Sequence, residues 1–228
     1  MLLVSNIYSN PTCTGTTVVA IAYKDGVAIM TDRLVSYGKM ARYRHFCRQY
    51  RVNSRVVVAF GGDHADFQWL QNLIERQTFR LKAHDPTAEL SPRMLHGYLT
   101  SLMYIRRTKL NPLWNILVVA GMQMQNDQFE PFIGVVNQRG VAYSTKSVAT
   151  GLGAWLLNEM VENELRQNGE KLTTISLLRK SLELSFYSDC TTSNEFDISI
   201  VDNEGVKLRK PETIVGNWDI AEYRCDYD

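Results

Sequence analysis

The 228-residue chain carries 25 Lys and Arg against 24 Asp and Glu, and a formal charge of +1 excludes a global field for nucleic acid or an anionic membrane. Its 45% apolar content is that of a globular protein, with length for one domain and a tail, and no apolar run reaches the roughly 20 residues of a spanning helix. The four cysteines, Cys13, Cys47, Cys190 and Cys225, form no CxxC or Cys/His cluster, so reduced thiols in a cytosolic or nuclear setting are expected, without zinc.

Residues 1–15 read as a leader, with Pro11 and several polar residues but neither the basic start nor the apolar centre of a secretory signal. Residues 16–33 read as a β-hairpin. Two apolar, β-branched runs flank Lys24-Asp25-Gly26, and Asp-Gly is a strong turn signal. Both arms are apolar at nearly every position, which predicts burial on both faces. Residues 34–38 read as a loop stopped by Gly38. Residues 39–52 mix arginines with aromatics and read as strands with one wet face, their Arg stems packed over rings. Arg55–Phe60 is a buried strand stopped by Gly61-Gly62. Asp63 caps a first helix over 63–80, with Phe67, Leu70 and Ile74 inward. Ser91-Pro92 opens a second helix that Asn111-Pro112 ends, with Leu95, Leu99 and Met103 on its apolar stripe.

Three strands follow, Trp114–Gly121, Phe129–Val136 and Gly140–Thr145. Thr150 is expected to cap a third helix ended by Gly169, and Thr173 a fourth. Glu195–Val201 and Val206–Leu208 close the pattern as a hairpin around Asp202-Asn203-Glu204-Gly205. Helix pairs alternating with blocks of strands predict an α+β, four-layer α/β/β/α sandwich of two antiparallel sheets flanked by helices. Residues 209–228 are too few for a core of their own. Their Trp218, Ile220 and Tyr223 are expected to anchor outside the domain. His45, His64, His84 and His96 show no metal-ligand spacing, and no cofactor is expected.

The layout of Gly15-Thr16, the hairpin and Asp32 resembles the start of N-terminal-nucleophile hydrolases, specifically proteasome β subunits. The resemblance runs from Thr16 to about Tyr223. It is strongest to a non-catalytic kind of β subunit, through Asn111-Pro112-Leu113-Trp114-Asn115, Ala149-Thr150-Gly151 and Asn217-Trp218-Asp219-Ile220-Ala221. In active members the Gly-Thr bond is cut and the freed threonine is the nucleophile. Its own α-amine is the base, and a lysine held by an aspartate lowers the hydroxyl's pKa. A second aspartate, with serines near it, holds the amine and water.

Carried over residue by residue, the resemblance makes Thr16 the nucleophile position and Asp32 the supporting aspartate. Arg48 stands where the lysine belongs. Thr150 replaces the serine of a Gly-Ser-Gly turn, Asp189 is the second aspartate, and Thr192-Ser193 stand where active members have Ser-Gly. Plainer roles are open at these positions: a strand threonine at 16, an Asp32–Arg33 pair, a helix cap at 150. An arginine cannot be deprotonated, with a pKa above about 12, and it could instead pair bidentately with Asp32 and fill the pocket. In the numbered chain the Thr16 nitrogen also lies in a peptide bond, so the base is missing too.

The resemblance therefore implies a degenerate site in a structural subunit. Its partners would be the other α and β subunits of a four-ring, 28-subunit proteasome core particle. That complex carries out ATP- and ubiquitin-dependent degradation in cytoplasm and nucleus. Residues 16–208 would be the β-type domain, and the 209–228 extension would contact the opposite β ring through Trp218, Ile220 and Tyr223. The alternative is an active threonine-type endopeptidase using Thr16.

Overall fold

The computed structural model describes residues 11–167 and 171–219. Within them, one sheet is built from β1 (Cys13–Gly15), β4 (Val35–Tyr37), β5 (Met40–Tyr43), β6 (Gln49–Arg51), β7 (Val56–Asp63), β8 (Asn115–Gln125), β9 (Gln128–Val136) and β10 (Ala142–Ser144). Its order is β10-β9-β8-β7-β1-β4-β5, with β6 also on β7. The second sheet holds β2 (Val18–Tyr23), β3 (Gly26–Asp32), β11 (Ser147–Ala149), β12 (Glu195–Asp202), β13 (Gly205–Leu208) and β14 (Glu212–Thr213). Its order is β11-β2-β3-β12-β13, with β14 on β12. The pairings in both sheets are antiparallel.

The two-residue period of each strand divides the core into layers. Val18, Ala20, Val27 and Ile29 meet Val57, Ala59, Val118 and Ala120 between the sheets. Their neighbours Val19, Ile21, Ala28 and Met30 face outward onto Leu157 and Val161 of α3 (Gly153–Gln167) and Leu178 and Leu182 of α4 (Lys171–Ser188). On the other side Val56, Val58 and Phe60 meet Phe67, Leu70 and Ile74 of α1 (His64–His84) and Leu95, Leu99 and Met103 of α2 (Pro92–Thr108). Strands covered on both faces need apolar residues at every position, which is why the hairpin shows no polar alternation. Each large aliphatic side chain so buried contributes about 1.5–3 kcal/mol. The four-layer α+β sandwich is the architecture expected from the order of elements.

The helix starts follow their caps. Asp63 Oδ2 accepts the amides of Ala65 and Asp66 at 3.0 and 3.1 Å, and its Oδ1 accepts that of Thr12 at 3.0 Å. Ser91 Oγ accepts the Met94 amide at 3.2 Å, with Pro92 in the first turn.

Several local expectations give way. The first hairpin pairs Tyr23 with Gly26, so its loop is Lys24-Asp25. Gly26 instead lets β12 approach: a β-carbon there would lie 2.3 Å from the Val201 carbonyl oxygen. Residues 35–37 are a strand, not a loop. Gly61 and Gly62 continue β7 rather than stopping it. The second helix ends before the proline, where Leu110 turns left-handed at φ 53° and the Asn111 amide reaches back 3.0 Å to the Arg106 carbonyl. β8 runs on to a two-residue turn at Asn126-Asp127, both with positive φ, as a type I′ hairpin requires.

Thr173 lies inside α4, not at its cap, and Gly169 lies outside the described residues. Residues 212–218 are not detached from the domain. β14 pairs with Glu195 and Phe196, and the Trp218 ring packs 5.0 Å from Tyr187 and 5.9 Å from Phe186. Trp218 is still 52% exposed, whereas Ile220 and Tyr223 lie outside the described residues.

Candidate functional site

The chain crosses from one sheet to the other at Thr16-Thr17. Cys13–Gly15, assigned from sequence to the leader, form β1, whose Thr14 pairs with Asp63 of β7 on one side and Ser36 of β4 on the other. β1 therefore joins the β4–β5 hairpin to the rest of its sheet. Thr16 is held by close backbone approaches. A β-carbon at Gly61 would sit 2.6 Å from the Thr16 carbonyl oxygen, and one at Gly151 2.8 Å. Gly151 also has φ +65°, where side chains are strained.

Arg48 stands immediately before β6 and is completely buried. Its Nε donates to the Asp32 carbonyl at 3.0 Å and its Nη1 to the Phe60 carbonyl at 2.9 Å. Its Nη2 donates to the Thr17 carbonyl at 2.7 Å and also meets Asp32 Oδ1. One guanidinium thus ties the ends of β3 and β7 to the start of β2. The anticipated fork across both carboxylate oxygens does not form. One arm takes a carboxylate oxygen and the other bonds are to main-chain carbonyls.

The space for Arg48 exists because residue 15 is glycine: a β-carbon there would lie 2.5 Å from Arg48 Cδ and 2.9 Å from Nη1. Asp32 is likewise fully buried and pairs with Arg48, not with Arg33. Arg33 instead bonds Asp197 at 3.1 Å. Burial pushes the Asp32 carboxyl above its ordinary value. The Arg48 charge and the amides of Leu34 and Ser193 oppose that rise.

The expected helix cap at Thr150 is absent, because its hydroxyl accepts the Val18 amide at 3.2 Å. The first amide of α3, from Gly153, is taken at 3.1 Å by Thr17 Oγ1, 136 positions earlier in the chain. Asp189 closes a local turn: Oδ1 accepts the amide and hydroxyl of Thr191 at 2.9 and 2.6 Å, and Oδ2 accepts the Thr192 hydroxyl at 3.1 Å. The fold therefore gathers Thr16, Asp32, Arg48 and Thr150 around the first turn of β2. Asp189 and Thr192 bond to each other, and no hydrogen bond joins them to Thr16 or Arg48 among the described residues. The Thr16 hydroxyl oxygen is buried and has no hydrogen-bond partner among the described residues.

Sequence reading missed Gln49. Its Nε2 donates to Thr31 Oγ1 at 3.1 Å and to the Asp197 carbonyl at 2.9 Å, and its Oε1 accepts from Ser199. It cross-links the sheets beside Arg48. Nothing in an arginine-rich, aromatic segment marks one glutamine as buried. Neighbouring Cys47 has its thiol pushed up to about 11 by burial, and the thiol donates to the Gln49 carbonyl at 3.4 Å. Only the thiolate reacts. The residue is exposed, so access is open, and a more basic thiolate is also the better nucleophile; iodoacetamide at pH 8 should therefore alkylate Cys47 roughly tenfold more slowly than an ordinary thiol, as peptide mapping of a time course would show.

A four-layer sandwich whose first hairpin opens at a threonine lodged between two glycine contacts has the architecture of the N-terminal-nucleophile hydrolases. Residues 12–201 match the family described as proteasome subunit, and the chain belongs to that family as a β subunit. It is 36% identical over 216 residues to proteasome subunit beta type-4 of Xenopus laevis, covering 93% of this chain and 87% of that one. Proteasome subunit beta type-7 of Saccharomyces cerevisiae is 33% identical, covering 93% and 83%, and beta type-4 of Arabidopsis thaliana is 32% identical, covering 93% and 85%.

Proposed function

We propose that this chain is a non-catalytic, structural β subunit of the 20S proteasome core particle, of the kind named beta type-4 in its relatives. The observation that carries the reading is the buried Arg48 lock. In active members a lysine lowers the threonine hydroxyl's pKa; here that hydroxyl has no hydrogen-bond partner among the described residues, and position 48 holds a bulkier, planar guanidinium. Here it is also committed to Asp32 and three main-chain carbonyls. Residues 13–15 also form a strand bonded on both sides, which a cut before Thr16 would remove.

In this reading the chain assembles with the other α and β subunits of a four-ring particle in cytoplasm and nucleus. It walls the chamber in which neighbours carry out ubiquitin-dependent degradation. Half-exposed Trp218, with Ile220 and Tyr223 beyond it, would reach toward the opposite β ring and help join the half-particles.

N-terminal sequencing and intact-mass analysis of the purified particle test this. The expected chain still carries Cys13-Thr14-Gly15 ahead of Thr16, and an epoxyketone probe leaves it unlabelled. A chain starting at Thr16 and labelled there would establish the active endopeptidase instead.

A further inference from the structure

Residues 33–62 contain one lysine and six arginines and no Asp or Glu, which leaves the remainder of the chain net acidic. Two of these cations serve the chain's own core: Arg48 in its lock, and Arg33 on Asp197. Lys39, Arg42 and Arg44 do not. They are exposed, lie on or beside the β4–β5 hairpin, and have no carboxylate partner among the described residues.

β5 ends its sheet. One side pairs with β4 and the other has no strand among the described residues, so a row of main-chain donors and acceptors is open there. The same hairpin exposes three large apolar side chains, Tyr37 at 56%, Met40 at 53% and Tyr43 at 44%. At its base lies a cleft of about 320 Å³, lined on one side by Ala41, Arg44 and His45 and on the other by Phe186, Cys190 and Glu195.

Basic residues on an edge ordinarily discourage strand addition. That function does not account for three exposed apolar side chains or for a cleft at the hairpin's base. Charge also selects among occupants. A second copy laid on β5 would bring two sets of three cations together, which repels. A strand rich in Asp and Glu would neutralise them while completing the ladder. Nucleic acid fits less well, since three cations within the six residues 39–44, only Arg42 of them in β5, give no track for a phosphate backbone.

We propose that the β4–β5 hairpin is a docking edge for an acidic, extended segment of a neighbouring subunit, added alongside β5 with one side chain seated in the adjoining cleft. The proposal rests on the subunit reading above and goes beyond it by naming the surface and the chemistry of what covers it.

The test places a photoreactive benzoylphenylalanine at Met40 in the full-length chain, within the assembled particle. Native mass spectrometry first shows whether the chain is in the particle. Irradiation and peptide mapping then identify what touches residue 40. The expected product joins residue 40 to one neighbouring subunit, within an extended segment of net negative charge. Its yield should fall at least tenfold in K39Q/R42Q/R44Q and persist in the charge-keeping K39R/R42K/R44K, with both variants melting as the parent does. A cross-link to a basic or neutral segment, to a second copy or to nucleic acid overturns the proposal, as does an intact particle with no cross-link. A wild-type chain absent from the particle overturns the subunit reading itself, and this one with it.

Discussion

Replacing Arg48 by methionine is expected to lower the stability of the folded chain by about 3–5 kcal/mol, the cost of removing one partner of a buried ion pair. The loss has two parts. Asp32 would keep a carboxylate in a fully buried site with no cation opposite, and the carbonyls of Thr17 and Phe60 would each lose a donor. Urea unfolding at pH 7 measures it.

The deficit should shrink in acid. Burial already pushes the Asp32 carboxyl up, with Arg48 opposing, so deleting the cation raises its folded-state pKa further above the unfolded value. A group so raised favours folding while protonated. Its penalty is absent below the unfolded pKa and grows as pH rises through the folded one. A deficit equal at pH 4 and pH 7 would show that Asp32 is not the group left stranded. Arg48→Lys restores a charge but not the planar fork, so about 2 kcal/mol of the loss should remain and Thr16 should gain no reactivity toward an epoxyketone.

Gly62→Ala should be as damaging, by about 3 kcal/mol or more, for a reason unconnected with charge. Gly62 has φ +103°, and its added β-carbon would lie 2.0 Å from the Trp114 carbonyl oxygen and 3.0 Å from the Asn115 Cα. Both are main-chain atoms at the start of β8, so no rotamer change relieves the contact. β7 and β8 would have to separate at the point where β1 joins the sheet. Gly38→Ala is the matched control: φ is +58° and nothing lies within 4 Å of the new carbon. It should cost only about 1–2 kcal/mol, the left-handed penalty alone. Thermal midpoints compare the two, at about 2–4 °C per kcal/mol for a chain of this length. Equal midpoints would contradict the close approach.

The layers were legible because both signals for them are local. Unbroken apolar strands say that both faces are covered, and Asp63 and Ser91 announce their helices within three residues. Three-residue strands such as β4 and β11 carry no such signal, since a two-residue period needs more than one repeat to show. Gly61-Gly62 read as a stop because a glycine pair punctuates most chains. Only the packed structure shows that the pair admits Thr16 on one side and Trp114 on the other. Thr150 misled in the same way. A hydroxyl before a helix is an ordinary cap, but the Val18 amide, 132 positions earlier, reaches it first.

What the amino-acid sequence by itself determined is the chemistry denied to position 48. A compact ammonium with freely turning donors is intrinsic to lysine, and arginine presents a planar, delocalised fork in any fold. What Arg48 does instead was decided only by tertiary structure. Its acceptors lie on residues 12, 16 and 31 positions away, on strands of both sheets, and the room for its stem is a hydrogen in place of a side chain at Gly15. Hydrogen-bond partners and close approaches are properties of distance in space, and distance along a chain does not report them.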